Sequence, residues 1–357
     1  MQRGRKLLLH PGVRRMRGLL GVALLAFGCS GREEDPAPGA PRSEGAAEVT
    51  VAFRLPDPEV LPEGIARDPR DGWFYLSDLR RRQVLRRTAD GAWEVFVQAS
   101  PEGSADGLLG TAGLAIDVDR DLLWVASARA DATLGPPSPE QRSGVWAFRL
   151  RDGSVAHRLL VPPDGPHLIN DLTVLPDGRV FATDTAADSV WEARVEQGRS
   201  EGDRLEGDRL ELFAASRAIA SPNGLAASPD GSSLYVAHRK GIARLPLDGS
   251  AGEQLGEALR GVDGLELLDG ALLAVQNGSG VERIVLVQLP FHEAEDAPRA
   301  LVEGPPALEV PTTCTVDPDV GAWCIASSHL TRPVADLPRL EPSAVLHLPA
   351  ALLTPAR

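Results

Sequence analysis

The chain has 357 residues, 43% of them hydrophobic, with 36 glycines and 30 prolines. One large β architecture broken by many turns accommodates that length and composition. The formal net charge of −13 argues against a nucleic-acid partner, which wants clustered positive charge.

In chain order, the first segment stands outside the fold. Arg3, Arg5, Lys6, Arg14, Arg15 and Arg17 precede the apolar run GLLGVALLAFGC, and a polar stretch rich in Pro, Gly, Ala and Glu follows. This is a secretory signal whose apolar run is too short to span a bilayer as a helix. Its end, Ala26-Phe27-Gly28-Cys29, resembles the lipobox of bacterial lipoproteins, with Ala26 where Leu is usual. The expectation is a signal peptide over residues 1–29, lipidation of Cys29 and a disordered tether over residues 30–47. The protein would then sit at the cell envelope, in the periplasm or on the outer surface, and touch a membrane only through its lipid. An ordinary signal peptide with an incidental cysteine is the alternative.

Residues 48–350 carry one phrase six times: EGIARDPRDGWFYLSD (63–78), AGLAIDVDRDLLWVAS (112–127), NDLTVLPDGRVFATD (170–184), NGLAASPDGSSLYVAH (223–238), DGLELLDGALLAVQN (263–277) and TCTVDPDVGAWCIAS (313–327). Each copy is a small or polar residue, usually a glycine, three or four alternating residues, a turn built on Asp, Pro and Gly, and a strand. First residues are spaced by 49, 58, 53, 40 and 50. Alternation with short turns predicts β-hairpins. A multi-strand unit recurring every 40–50 residues or so predicts propeller blades, so the fold class is all-β, a six-bladed β-propeller. Outer strands are expected at 82–87, 143–150, 188–195, 241–247 and 283–289, and the strand around 49–55 is expected to close the ring against 344–350. The segment 196–212, with EGDRL twice in tandem, reads as a solvated outer loop, and 351–357 as a C-terminal tail. Trp73, Trp124, Trp191 and Trp323 lie in strand phrases and are expected to pack between blades. Cys314 and Cys324 flank a turn; they are either a disulfide across a hairpin, which an exported compartment permits, or two small core residues.

The innermost strand of a propeller blade lines the central channel. The first residues of the copies, Glu63, Ala112, Asn170, Asn223, Asp263 and Thr313, are therefore expected in a ring near the axis. Four carry a side-chain oxygen, two as acids and two as amides, which suits Ca²⁺. The absence of His and Cys from this set argues against Zn²⁺ and copper. Taken singly, each Asn or Asp could simply cap a turn. A glycine follows Glu63, Asn223 and Asp263, where it would let the backbone turn tightly beside an ion.

Through LPEGIARDP, INDLTVLPDGRVFATD, SPNGLAASPDG and VDGLELLDGALLAVQNG, the chain resembles the senescence marker protein/gluconolactonase/luciferin-regenerating enzyme-like family. These are calcium-dependent six-bladed propellers with paraoxonase relatives, and the resemblance covers about residues 50–350. It implies that Glu63, Asn223 and Asp263 hold one Ca²⁺, with Asn170 as a further ligand or a substrate contact. It also implies that Asp263 is the general base or nucleophile. Two accessory groups of the relatives are missing. The gluconolactonase arginine two residues before the Asn-Asp pair is here Leu168, and the paraoxonase histidine of the second-blade phrase is here Ala112. Both changes favour a more apolar pocket. His167, three residues before Asn170, Asn277 after the fifth hairpin, and His329 after the last are further polar candidates at the channel mouth, the first two as substrate contacts. The expected function is hydrolysis of a small-molecule lactone or ester with Ca²⁺ as cofactor. A non-catalytic ligand- or protein-binding propeller with a structural Ca²⁺ is the alternative.

Overall fold

The computed structural model describes residues 47–100, 107–135, 141–195, 208–278, 280–293 and 296–354. Cys29, the signal and nearly all of the expected tether lie outside the described residues. Six four-stranded antiparallel sheets follow one another around a ring. Blade 1 is Ile65–Arg67, Phe74–Asp78, Gln83–Arg87 and Trp93–Gln98; blade 2 is Gly110–Asp117, Leu122–Ala128, Gly144–Arg149 and Val155–Leu160. Blade 3 is Ile169–Val174, Val180–Asp184, Ser189–Arg194 and Arg209–Ala215; blade 4 is Leu225–Ala227, Ser233–His238, Gly241–Pro246 and Glu253–Gln254. Blade 5 is Val262–Leu268, Ala271–Gln276, Arg283–Gln288 and Arg299–Glu303. Blade 6 takes three strands from the end of the chain, Cys314–Asp317, Gly321–Ile325 and Ala344–Pro349, and its outermost strand, Thr50–Arg54, from the beginning. The expected closure is thus present, in the register Thr50↔His347 to Arg54↔Ala344 with one bulge.

Every copy of the repeated phrase forms the inner hairpin of one blade. Its turns use the residues that turns need: Gly178 and Gly231, in the two PDG turns, have φ of +88° and +65°, a conformation open to glycine at little cost. The loop reading of 196–212 is corrected at its end. Arg209 to Leu212, which include the last two residues of the tandem duplication, belong to the outermost strand of blade 3, because Leu210 can bury its side chain in the seam between blades 2 and 3. Helices among the described residues are limited to short 3₁₀ turns.

The core is divided among the seams between blades. One apolar cluster joins blades 1 and 2, another 2 and 3, and so on around the ring to a sixth that joins blade 6 to blade 1 through Trp323, Ile325, Val345, Ile65 and Phe74. Trp124 and Trp191 lie in the seam between blades 2 and 3, as the tryptophan placement anticipated. Each sheet buries both faces against neighbours, which is why its middle strands read as nearly continuous apolar runs. Cys314 and Cys324 sit directly opposite each other in the blade 6 hairpin and form a disulfide.

Candidate metal centre

The inner strands begin irregularly, and at the same place. The ladder skips between Thr111 and Leu114, between Ile169 and Leu172, and between Val262 and Leu265. Ala112-Gly113, Asn170-Asp171 and Asp263-Gly264 therefore leave the regular pairing. In blades 1 and 4 the strand begins only two residues after Glu63 and Asn223. Such bulges bend a strand and re-aim a side chain. The amides they free are taken up by hydroxyls of the second strand. Glu63 N–H and Gly64 N–H donate to Ser77 Oγ at 3.0 and 2.7 Å, and Asp171 N–H donates to Thr183 Oγ1 at 3.1 Å.

The glycines after Glu63, Asn223 and Asp263 have a different purpose from the one expected. Gly64, Gly224 and Gly264 are not among the residues of positive φ. Instead a Cβ on Gly64 would stand 2.2 Å from Ala112 O, one on Gly224 2.2 Å from Asp263 O, and one on Gly264 2.5 Å from Thr312 O. These glycines let adjacent blades touch backbone to backbone, and two of them donate across the seam: Gly224 N to Asp263 O at 2.6 Å and Gly264 N to Thr312 O at 2.7 Å.

Of the ring side chains, Glu63, Asn223 and Asp263 come together. The Asp263 carboxylate accepts from the side-chain amides of Asn277 and Asn223, and Asn277 Nδ2 also donates to Pro311 O at 2.8 Å. Burial pushes Asp263 up to about 6 despite those two donors. Burial, then the charges of Asp263 and Asp171, hold Glu63 well above the usual carboxylate range. Asn170 donates Nδ2 to Thr185 Oγ1 at 3.1 Å, which leaves its oxygen as the atom open to a cation. Neither Glu63 nor Asp263 forms an ion pair with a Lys, Arg or His among the described residues. Two buried carboxylates that repel each other, flanked by amide oxygens, form a donor set that a hard divalent cation relieves, so these residues fit Ca²⁺. Among the described residues no three His, Cys, Asp or Glu side chains gather as a metal site on their own, so such an ion would depend on the amides.

Two acids not singled out in the sequence also face the channel. Asp171 accepts from Leu172 N at 2.9 Å and Leu225 N at 3.2 Å, and burial pushes it up to about 7. Glu266 is pushed up to about 8, by burial first and then by the Asp171 charge. Both line a cavity of 240 Å³ together with Arg67, Thr313 and Thr315. Apart from Thr313, its wall is made of residues that follow the ring positions along the inner strands. A signal was available for each: Asp171 is the second residue of the Asn-Asp pair, and Glu266 is an acid inside the alternating run LELL.

His167 is not on an inner strand; it precedes blade 3 and pairs Nδ1 with Asp184 Oδ2 at 2.6 Å. Asn277 is held between Asp263 and Pro311. His329 lies in the loop after the second strand of blade 6, with Nε2 against Glu341 O at 2.9 Å, in a separate cavity bordered by Val51, Leu301 and Leu346.

No curated protein matches the chain. The fold is similar to that of regucalcin, a calcium-binding protein from Agrobacterium tumefaciens, at 16% identity over 83% of this chain and 93% of that one, with a TM-score of 0.57. A gluconolactonase from Xanthomonas campestris is similar at 19% identity over 85% and 90%, TM-score 0.56. The PQQ-bound aldose sugar dehydrogenase of Streptomyces coelicolor is similar at 14% identity over 84% and 98%, TM-score 0.54, so structural likeness at this level speaks for the fold alone. Residues 61–278 match the family described as the SMP-30/Gluconolactonase/LRE-like region. The chain, a six-bladed propeller with the ring described above, belongs to that SMP-30/gluconolactonase/LRE-like family.

Proposed function

We propose that this protein is a calcium-dependent hydrolase of a lactone or ester, anchored at the cell envelope through a lipid on Cys29. The observation that carries the reading is the convergence of Glu63, Asn223 and Asp263, with two buried carboxylates and, among the described residues, no basic side chain paired with them. Glu63, Asn170, Asn223 and Asp263 are the residues that would hold the ion. Bound there, Ca²⁺ supplies polarisation of an ester carbonyl and stabilisation of the oxyanion that forms from it.

The chain's own residues supply the proton chemistry. Asp263, at about 6, is largely a carboxylate at neutral pH, and it accepts the proton of the attacking water. Asn277 and Asn223 hold it in one orientation and favour its charged form. The buried channel excludes bulk water from these groups. Opening a lactone in this way yields a hydroxycarboxylate.

The test assays the full chain on aliphatic lactones, sugar lactones and aryl esters, with and without chelator, beside a folded Asp263→Asn variant, while bound metal is quantified. Turnover that is lost on chelation and falls by about 10³-fold or more in Asp263→Asn supports the hydrolase. Bound Ca²⁺ with no turnover on any substrate replaces it with the binding propeller. Absence of Ca²⁺ overturns both.

A further inference from the structure

Blade 2 carries a second polar site that the metal ring does not use. Its strands alternate in direction, so the residues before its first and third strands and after its second and fourth all lie on one face. That is the face on which the inner strands begin. Leu109, Arg129, Ser143 and Val161 occupy those four positions, and with Arg142 and His167 they surround a cavity of 240 Å³. His167 stands three residues ahead of Asn170.

The walls of this cavity are left chemically incomplete. Arg129 donates Nη2 to Gly135 O at 2.6 Å, while its Nη1 is buried with no partner. Arg142 donates Nη1 to Val161 O at 3.1 Å, and neither guanidinium has an acidic partner among the described residues. Gln141 Oε1 and His167 Nε2 are likewise buried and unpartnered. The tautomer of His167 follows from its other side. Asp184 Oδ1 accepts from Leu168 N at 2.9 Å, and Oδ2 accepts from Trp191 Nε1 at 3.2 Å. His167 Nδ1 meets the same Oδ2 at 2.6 Å, so Nδ1 carries the hydrogen, and in that tautomer Nε2 presents a lone pair.

The open valences are therefore of two kinds. Two guanidinium groups without a counter-charge want an anionic acceptor, and the planar fork of arginine suits a carboxylate. Gln141 Oε1 and His167 Nε2 each want a hydrogen-bond donor, and a hydroxyl supplies one. Buried polar groups left unpaired are costly, so a molecule that pairs the guanidinium groups and one of the acceptors together is bound selectively. We propose that this cavity binds a small hydroxycarboxylate, with its carboxylate on Arg129 and Arg142 and a hydroxyl donating to His167. Its identification with the acid released at the ring rests on the hydrolase reading; the binding itself does not.

The test is calorimetric titration of the full chain, with Ca²⁺ present, using 4-hydroxybutyrate, butyrate, 1,4-butanediol and inorganic phosphate as probes. Wild type, Arg129→Gln, Arg142→Gln and His167→Gln are compared, each first shown to unfold at the wild-type temperature. The expected result is tightest binding of 4-hydroxybutyrate, weakened about tenfold or more by at least one arginine variant that folds. His167→Gln should narrow the preference over butyrate. The proposal is overturned if wild type binds none of the probes, or if butyrate or phosphate binds as tightly as the hydroxy acid. It is also overturned if binding survives in both arginine variants, which would place the carboxylate on the metal instead. Binding as expected in a protein without turnover would remove the hydrolase reading and leave this site standing.

Discussion

Asp263 and Glu266 lie three residues apart on one strand, yet their surroundings separate them chemically. Asp263 has two amide donors and is pushed up to about 6, whereas Glu266, beside Asp171, is pushed up to about 8. Glu266 thus keeps its proton in the folded protein over a pH range in which the unfolded chain has lost it. The native state binds more protons there, so stability falls as pH rises from about 4.5 and levels off above about 8. Glu266→Gln removes that loss. The variant is expected to match wild type near pH 4 and to exceed it by about 1–3 kcal/mol at pH 8, the lower end reflecting solvent that reaches the carboxyl through the cavity. Urea unfolding at the two pH values reads the difference, and a constant gap would show that Glu266 does not titrate in this range.

Among elements, the bulged start of the inner strand does the most for the site. In blades 2, 3 and 5 it turns the first residue out of the ladder, and in blades 1, 4 and 5 the glycine behind that residue allows the next blade's carbonyl to approach. Gly64→Ala would bring its Cβ to 2.2 Å from Ala112 O, and backbone on both sides leaves no flexible group to yield. The expected cost is about 3 kcal/mol or more. Gly249→Ala is the control, since its Cβ meets nothing within 4 Å and only its φ of +78° opposes the change, for about 1 kcal/mol. Thermal unfolding of the two variants separates a seam effect from a turn effect. If Gly64→Ala cost no more than Gly249→Ala, the close-approach explanation would fail.

At the scale of the whole molecule, closure depends on Thr50–Arg54 completing blade 6. Phe53 packs on Phe74 and Trp93 of blade 1 at ring centroid distances of 5.0 and 5.8 Å, so this strand also helps seal the last seam. Deleting residues 47–55 would leave Ala344–Pro349 with an unpaired edge, a template for association between chains. The truncated chain is expected to unfold at lower temperature, in a broadened transition, and to elute as aggregates in size-exclusion chromatography. A monomer with the wild-type melting profile would show that the seam between blades 6 and 1 holds without it.

The amino-acid sequence by itself determined the number of blades, their inner hairpins, the closing strand and the positions that face the axis. Each of these follows from local rules, alternation, turn chemistry and a repeat period, applied six times over. Asn277 reaching back to Asp263, Glu266 sensing Asp171 across the channel, and His167 meeting Asp184 while Arg129 and Arg142 share its cavity were decided only in three dimensions. So were the Cys314–Cys324 bond, left open between two readings, and the glycine contacts between blades. The physical reason is that a repeat fixes what each blade looks like to itself. Which side chains face one another depends on the bulges that re-aim them and on how closely six blades pack around a common axis.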